Sequence, residues 1–188
     1  MDEVISGTPI SGRTAIETQN MVGMFVNVMP LRTAIDRGSS FRGLTQAVHT
    51  SILEMLEYQD YPFDLLVDRL NVQRKEGRNP IYDTVFAFQN MHIPAFRAEG
   101  LEVEMTNEDN ISKFDITVEA MERLDQLEIT FKYDTALFEE TTILQFMDIL
   151  RNGLEQAIAA PDTEVGTLFV RQEQQLEDSG FEEIDFDF

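Results

Sequence analysis

Apolar side chains return every three or four positions between residues 41 and 55, at Phe41, Leu44, Val48, Ile52 and Met55. That period predicts a helix with one buried stripe, and Ser39 or Ser40 stands where an N-cap belongs. A second helix opens at Asp60 and Pro62, because proline costs nothing where the first N–H has no partner. Phe63, Leu66, Val67 and Leu70 form its expected stripe. A third carries Ile143, Phe146, Met147, Leu150, Leu154 and Ile158 and should stop near Pro161.

Other stretches alternate with a period of two, the signature of strands. Phe114, Ile116, Val118 and Ala120 alternate, "ERLDQ" turns the chain, and Leu127, Ile129, Phe131 and Tyr133 alternate back, which predicts an antiparallel hairpin. Residues 82–88 are apolar on both faces, with Tyr82, Thr84, Phe86 and Phe88 one way and Val85 and Ala87 the other. Both faces of that strand should therefore be at least partly covered. Residues 24–31 form a further strand, and Leu101, Val103 and Met105 a half-exposed one. Residues 4–8 form a short apolar segment that "GTPISGR" should break with its glycines and proline. Strands and helices interleave, so the fold class is α/β: one mixed sheet with an antiparallel hairpin and helices packed on it. The sequence contains no internal repeat.

Composition narrows the function. With 188 residues and 43% hydrophobic positions the chain can bury one good core. A formal net charge of −21 repels phosphate backbones, which argues against nucleic acid as a partner. The acidic stretch from residue 173 to 188 reads as a linker or docking tail. No apolar run approaches the roughly 18 residues of a membrane span, so no membrane partner is expected. No secretory signal opens the chain, and cysteine is absent, which excludes disulfides, thiolate metal sites and a cysteine nucleophile. A cytoplasmic location is consistent with both.

Candidate chemistry is sparse. His49 lies one residue off its helical stripe and reads as a flanking surface residue. His92, in "QNMHIP", follows a strand end; it reads as a loop residue, with an active-site role as the sharper alternative. No HExxH, GxSxG, phosphate-binding glycine loop or GxGxxG occurs, and no metal site is expected. Polar residues set against apolar runs stand out more. Arg13 could pair with a carboxylate or with backbone carbonyls to fix its loop, and Asn27 could bond across to a neighbouring loop. Gln89 and Asn90 end an apolar strand, where their amides could donate to a bound carbonyl or simply close the strand.

Three stretches, in order, carry a resemblance. "VGMFVNVMPLR" at 22–32, with Gly23, Asn27 and Arg32, resembles the VGxFVNTxxxR pattern of nonribosomal peptide synthetase condensation domains, with Val28 where threonine is usual. "YQDYPFD" at 58–64, with Asp60, Pro62 and Phe63, resembles their HQDYPFE pattern, with Tyr58 for His and Asp64 for Glu. "RKEGRNPIYD" from residue 74, with Arg78, Asn79 and Pro80, resembles RDxSRNPLF, with Gly77 for Ser. "GTPISGRT" and the stretch from "SKFDITVEA" onward are similar as well, so the likeness runs from about residue 2 to 170.

The resemblance implies one chloramphenicol acetyltransferase-like subdomain of the two that form a V in that family. Such a domain joins an upstream acyl or peptidyl thioester to a downstream aminoacyl amine, both held on phosphopantetheine arms of peptidyl carrier proteins. The arms are substrates, and the chain itself should bind no cofactor. The family's catalytic HHxxxDG belongs to its amino-terminal half and is absent here, so no catalytic residue carries over to His49 or His92. Residues 1–170 are therefore expected to be the carboxy-terminal half, inactive alone, and 171–188 the start of a linker toward an adenylation domain. Ser11, Gly12, Arg13, Gln89 and Asn90 would belong to the substrate-tunnel wall. Separated from the amino-terminal half, the chain should expose an apolar seam and a strand edge, and self-associate or seek a partner. The alternatives are a stand-alone module docking carrier or partner proteins through its acidic face, and a small acyltransferase using His92.

Overall fold

The computed structural model describes residues 2–73, 78–89, 112–123 and 126–168. Five strands form one sheet in the order β2-β1-β3-β4-β5, with β1 Asp2–Ile10, β2 Asn27–Ile35, β3 Thr84–Gln89, β4 Ile116–Arg123 and β5 Gln126–Tyr133. β1 runs parallel to β3 with Gly7 opposite Val85, and β3 runs parallel to β4 from Thr84 opposite Ile116 to Gln89 opposite Met121. β4 and β5 are antiparallel, from Ile116 opposite Tyr133 to Arg123 opposite Gln126, the hairpin that period-two alternation predicts. The sheet is mixed, as the sequence pattern requires.

The chain divides into two compact units. Of the described residues, one comprises 2–5, 31–59 and 139–168. Its helix α1, Phe41–Glu57, begins at Ser40, whose hydroxyl accepts the N–H of Gly43 at 3.1 Å. The stripe Phe41, Leu44, Val48, Ile52 and Met55 is half-buried, and His49 is exposed as expected. α3, Glu140–Ala159, buries Ile143, Gly153 and Ala157. The inner stripe therefore runs through small residues that a search for large apolar side chains passes over, while Ile158 is 78% exposed. A segment after α3 closes against the start of α1, with Val165 N–H donating to Ser39 O and Phe41 N–H to Thr163 O. Val165 and Leu168 are buried there.

The other unit comprises, of the described residues, 6–30, 60–73, 78–89, 112–123 and 126–138. α2, Phe63–Leu70, has Pro62 at its N-cap and ends at Asn71, whose φ of 51° is the left-handed turn that stops a helix. Val67 is its buried anchor at 2% exposure, and Leu70 turns outward. At the centre of this unit lies Tyr82, 5% exposed. Its ring tilts against Phe63 at 5.6 Å and Phe114 at 5.9 Å, and its hydroxyl donates to Val28 O at 3.4 Å. Burial pushes the phenol up to about 12. The ring also crosses β1 at Gly7, where an added Cβ would stand 2.4 Å from the Tyr82 ring. Glycine is required there by close approach alone.

Three expectations are corrected. β1 does not break at "GTPI" but continues through Gly7 and Pro9 to Ile10, because the strand needs a residue without a side chain beneath Tyr82. β2 starts at Asn27, and residues 24–26 are coil; the strand extends instead to Ile35. β3 starts at Thr84 rather than Tyr82; both its faces are at least partly covered, with Val85 and Ala87 buried and Phe86 and Phe88 43% and 50% exposed. The larger side chains point outward, opposite to what burial of apolar area favours. The strand expected at Leu101, Val103 and Met105 lies outside the described residues, as do Asn90, His92 and the acidic tail.

Candidate functional site

Parallel β1, β3 and β4 place their carboxyl ends along one edge of the sheet. Ser11, Gly12 and Arg13 leave β1 there, and Gln89 ends the neighbouring β3, so the topology brings these predicted site residues to adjacent strand ends. The edge beyond the carboxyl ends of parallel strands is where open α/β sheets hold ligands.

The loop that follows is built around Arg13. Its guanidinium donates to the carbonyls of Thr18, of Met21 at 2.9 Å and of Gly23 at 3.3 Å. It also lies 4.3 Å over the Phe25 ring, a cation–π contact. One planar, always-charged donor thereby ties down carbonyls from three residues. Gly12 makes the turn possible: φ is +62°, and an added Cβ would meet Phe25 O at 1.9 Å. Gly23 is less constrained, since a Cβ there would stand 3.2 Å from the Phe25 ring. A short helical turn, Ile16–Thr18, completes the loop.

This pinned backbone displays apolar side chains. Ile16, Met21, Val22, Met24 and Val26 are all exposed, Val22 and Met24 almost completely. A cluster held out by a rigid backbone is not the scattered exposure of an ordinary surface.

The remaining motif residues sit elsewhere. Asn27 donates to the Met29 sulfur at 3.4 Å at the start of β2. Arg32, on β2, forms a two-point pair with Glu3 of β1, Nε to Oε2 at 3.1 Å and Nη2 to Oε1. Asp60 is exposed in the turn before α2, and Phe63 packs on Tyr82. Arg78, Asn79 and Pro80 precede β3, at the sheet edge opposite Ser11–Arg13 and Gln89. Asn79 donates to Lys113 O at 3.4 Å, and Arg78 lies 3.8 Å from Asp83. The described residues contain no group of histidines and carboxylates able to hold a metal ion. They also contain no helix long and apolar enough to cross a membrane.

Sequence reasoning missed Phe25, Gly7 and the central role of Tyr82. Gly7 and Tyr82 left a readable signal, a glycine inside an apolar strand and a tyrosine after an Asn-Pro turn. Phe25 left none, because a phenylalanine between valine and methionine looks like strand core.

Taken together, the mixed five-stranded sheet and the helices define an α/β protein. The family profile described as Condensation domain matches residues 1–178. Bacitracin synthase 1 of Bacillus licheniformis is 37% identical over 170 residues, covering 90% of this chain and 3% of that protein. Tyrocidine synthase 3 of Brevibacillus parabrevis is 37% identical over 179 residues, covering 93% of this chain and 3% of that protein. A crystal structure of a holo four-domain nonribosomal peptide synthetase bound to AMP and glycine superposes with a TM-score of 0.79 at 20% identity, over 88% of this chain and 14% of that one. The condensation domain of the monacolin K polyketide synthase gives 0.73 at 16% identity, over 87% of this chain and 38% of that one. The chain belongs to the condensation-domain family of nonribosomal peptide synthetases. It spans only a few per cent of the length of the synthetases it matches.

Proposed function

We propose that this chain supplies the carboxy-terminal half of a condensation domain that forms a peptide bond between two carrier-bound substrates. The observation that carries the reading is the family match over residues 1–178 together with the meeting of Ser11–Arg13 and Gln89 at one sheet edge. The share of a solved condensation domain that the chain covers, 38%, and the absence of HHxxxDG from its 188 residues support a half that lacks the catalytic histidine. In this reading residues 1–170 form the subdomain and 171–188 lead toward an adenylation domain. Ser11, Gly12, Arg13, Gln89 and Asn90 contribute to the wall of the substrate tunnel. The substrates arrive as thioesters on the phosphopantetheine arms of peptidyl carrier proteins, and the chain alone is inactive.

The exposed cluster from Ile16 to Val26 supports a missing companion, because so much apolar surface on a pinned loop is costly to leave in water. The test combines this chain with a separately expressed HHxxxDG-bearing half and two loaded carriers. Dipeptide should form only when both halves are present, and the chain by itself should self-associate in light scattering. Carrier binding by the chain alone, with no product on adding the companion, would instead favour a stand-alone docking module.

A further inference from the structure

The edge opposite the candidate site carries an unusual charge arrangement. Asp83 immediately precedes β3, Asp115 precedes β4, and Asp134 follows β5. Backbone hydrogen bonds fix them as neighbours: Asp115 N–H donates to Asp83 O at 3.0 Å, and Asp134 N–H to Asp115 O at 3.0 Å. The three residues cannot drift apart without unzipping the sheet. Asp134 uses Oδ1 to accept the N–H of Ala136 at 2.8 Å. Asp83 Oδ1 is buried and accepts no hydrogen bond from the described residues, while Asp83 Oδ2 lies 3.8 Å from Arg78 Nη1. Asn79, bonded to Lys113 O, holds the Arg78 segment beside the chain that leads to Asp115.

We propose that Arg78 is an electrostatic clasp: its one guanidinium offsets the mutual repulsion of Asp83, Asp115 and Asp134, and protons can take its place, so this end of the sheet tightens on acidification. Like charges held close each raise the cost of ionising the others. Burial and the charge of Asp83 hold the Asp115 carboxyl above its ordinary range, Arg78 draws it back down, and Asp134 adds a weaker push upward. Among the described residues Arg78 is the one cation acting on Asp115. A carboxyl raised in the folded state adds stability as the pH falls through its folded pKa and withdraws it as the pH rises. Removing Arg78 raises Asp115 further and enlarges that dependence. This clasp stands on the geometry of the sheet edge and is independent of the catalytic reading above.

Urea unfolding of the 188-residue chain at pH 7.5 and pH 4.5 tests it. Arg78→Met should lower the folding constant severalfold more at pH 7.5 than at pH 4.5. Asp115→Asn should raise the folding constant at pH 7.5 and recover most of the Arg78→Met loss, and Arg78→Lys should stay near the parent. An equal loss at both pH values, or an Asp115→Asn chain less stable than its parent at pH 7.5, overturns the clasp. Asp115→Asn alone decides the matter if Arg78→Met does not fold.

Discussion

Two arginines stand at opposite edges of the same parallel strands, and they are satisfied in opposite ways. Arg13, at the carboxyl edge, meets neutral carbonyls and an aromatic face. Arg78, at the amino edge, faces carboxylates that outnumber it. The first arrangement is indifferent to pH because none of its partners titrates. The second changes with every proton taken up. The same residue type therefore builds a permanent scaffold at one end and a condition-dependent closure at the other.

The largest test asks whether the two edges depend on a common centre. Tyr82→Ala removes the ring that Phe63, Phe114 and Gly7 enclose, and should cost about 3–5 kcal/mol in urea unfolding. Losing only one edge, with the other still cooperative by hydrogen exchange, would show that the edges fold separately. Next comes Arg13→Met, which removes three carbonyl bonds and a cation–π contact. It should cost about 1–3 kcal/mol, equally at pH 4.5 and 7.5, and open residues 14–24 to proteolysis. A strongly pH-dependent loss would abolish the contrast with Arg78. The smallest effect belongs to Arg42→Gln. Arg42 bonds Asp162 on the surface and holds that carboxyl below its ordinary value, as Arg37 does for Asp2. A depressed carboxyl contributes above its unfolded pKa and loses that contribution as pH falls. Arg42→Gln should lower stability slightly at neutral pH, where Asp162 is ionised, and the difference from the parent should vanish as the pH falls and that carboxyl takes up its proton.

How much of this was legible beforehand varied with the kind of force involved. α1, the hairpin and the mixed sheet follow from periodicity, since helix and strand place side chains at fixed intervals. The family likeness rests on local strings, and those strings include the carbonyl-bonding Arg13 loop. The face of β3 was illegible, because Phe86 and Phe88 look like core until the fold leaves them half in water. In α3 the buried positions Gly153 and Ala157 give no signal to a search for apolar stripes, because small residues carry little hydrophobicity. The aspartate group could not be found in a chain this acidic. Asp83, Asp115 and Asp134 become neighbours only through strand pairing across long sequence gaps.

The meeting of Tyr82 with Gly7 bears on how β3 chooses its alignment. Both sides of that strand are oily, so sliding it by one position would exchange valine and alanine for two phenylalanines at no loss of greasiness. Hydrophobicity alone thus leaves the strand free to misthread. A wide ring three positions before Val85 fits over β1 only where a side chain is missing, and Gly7 is the gap that receives it. The tyrosine acts as a key cut for a single notch, selecting one pairing among several that solvent would tolerate equally.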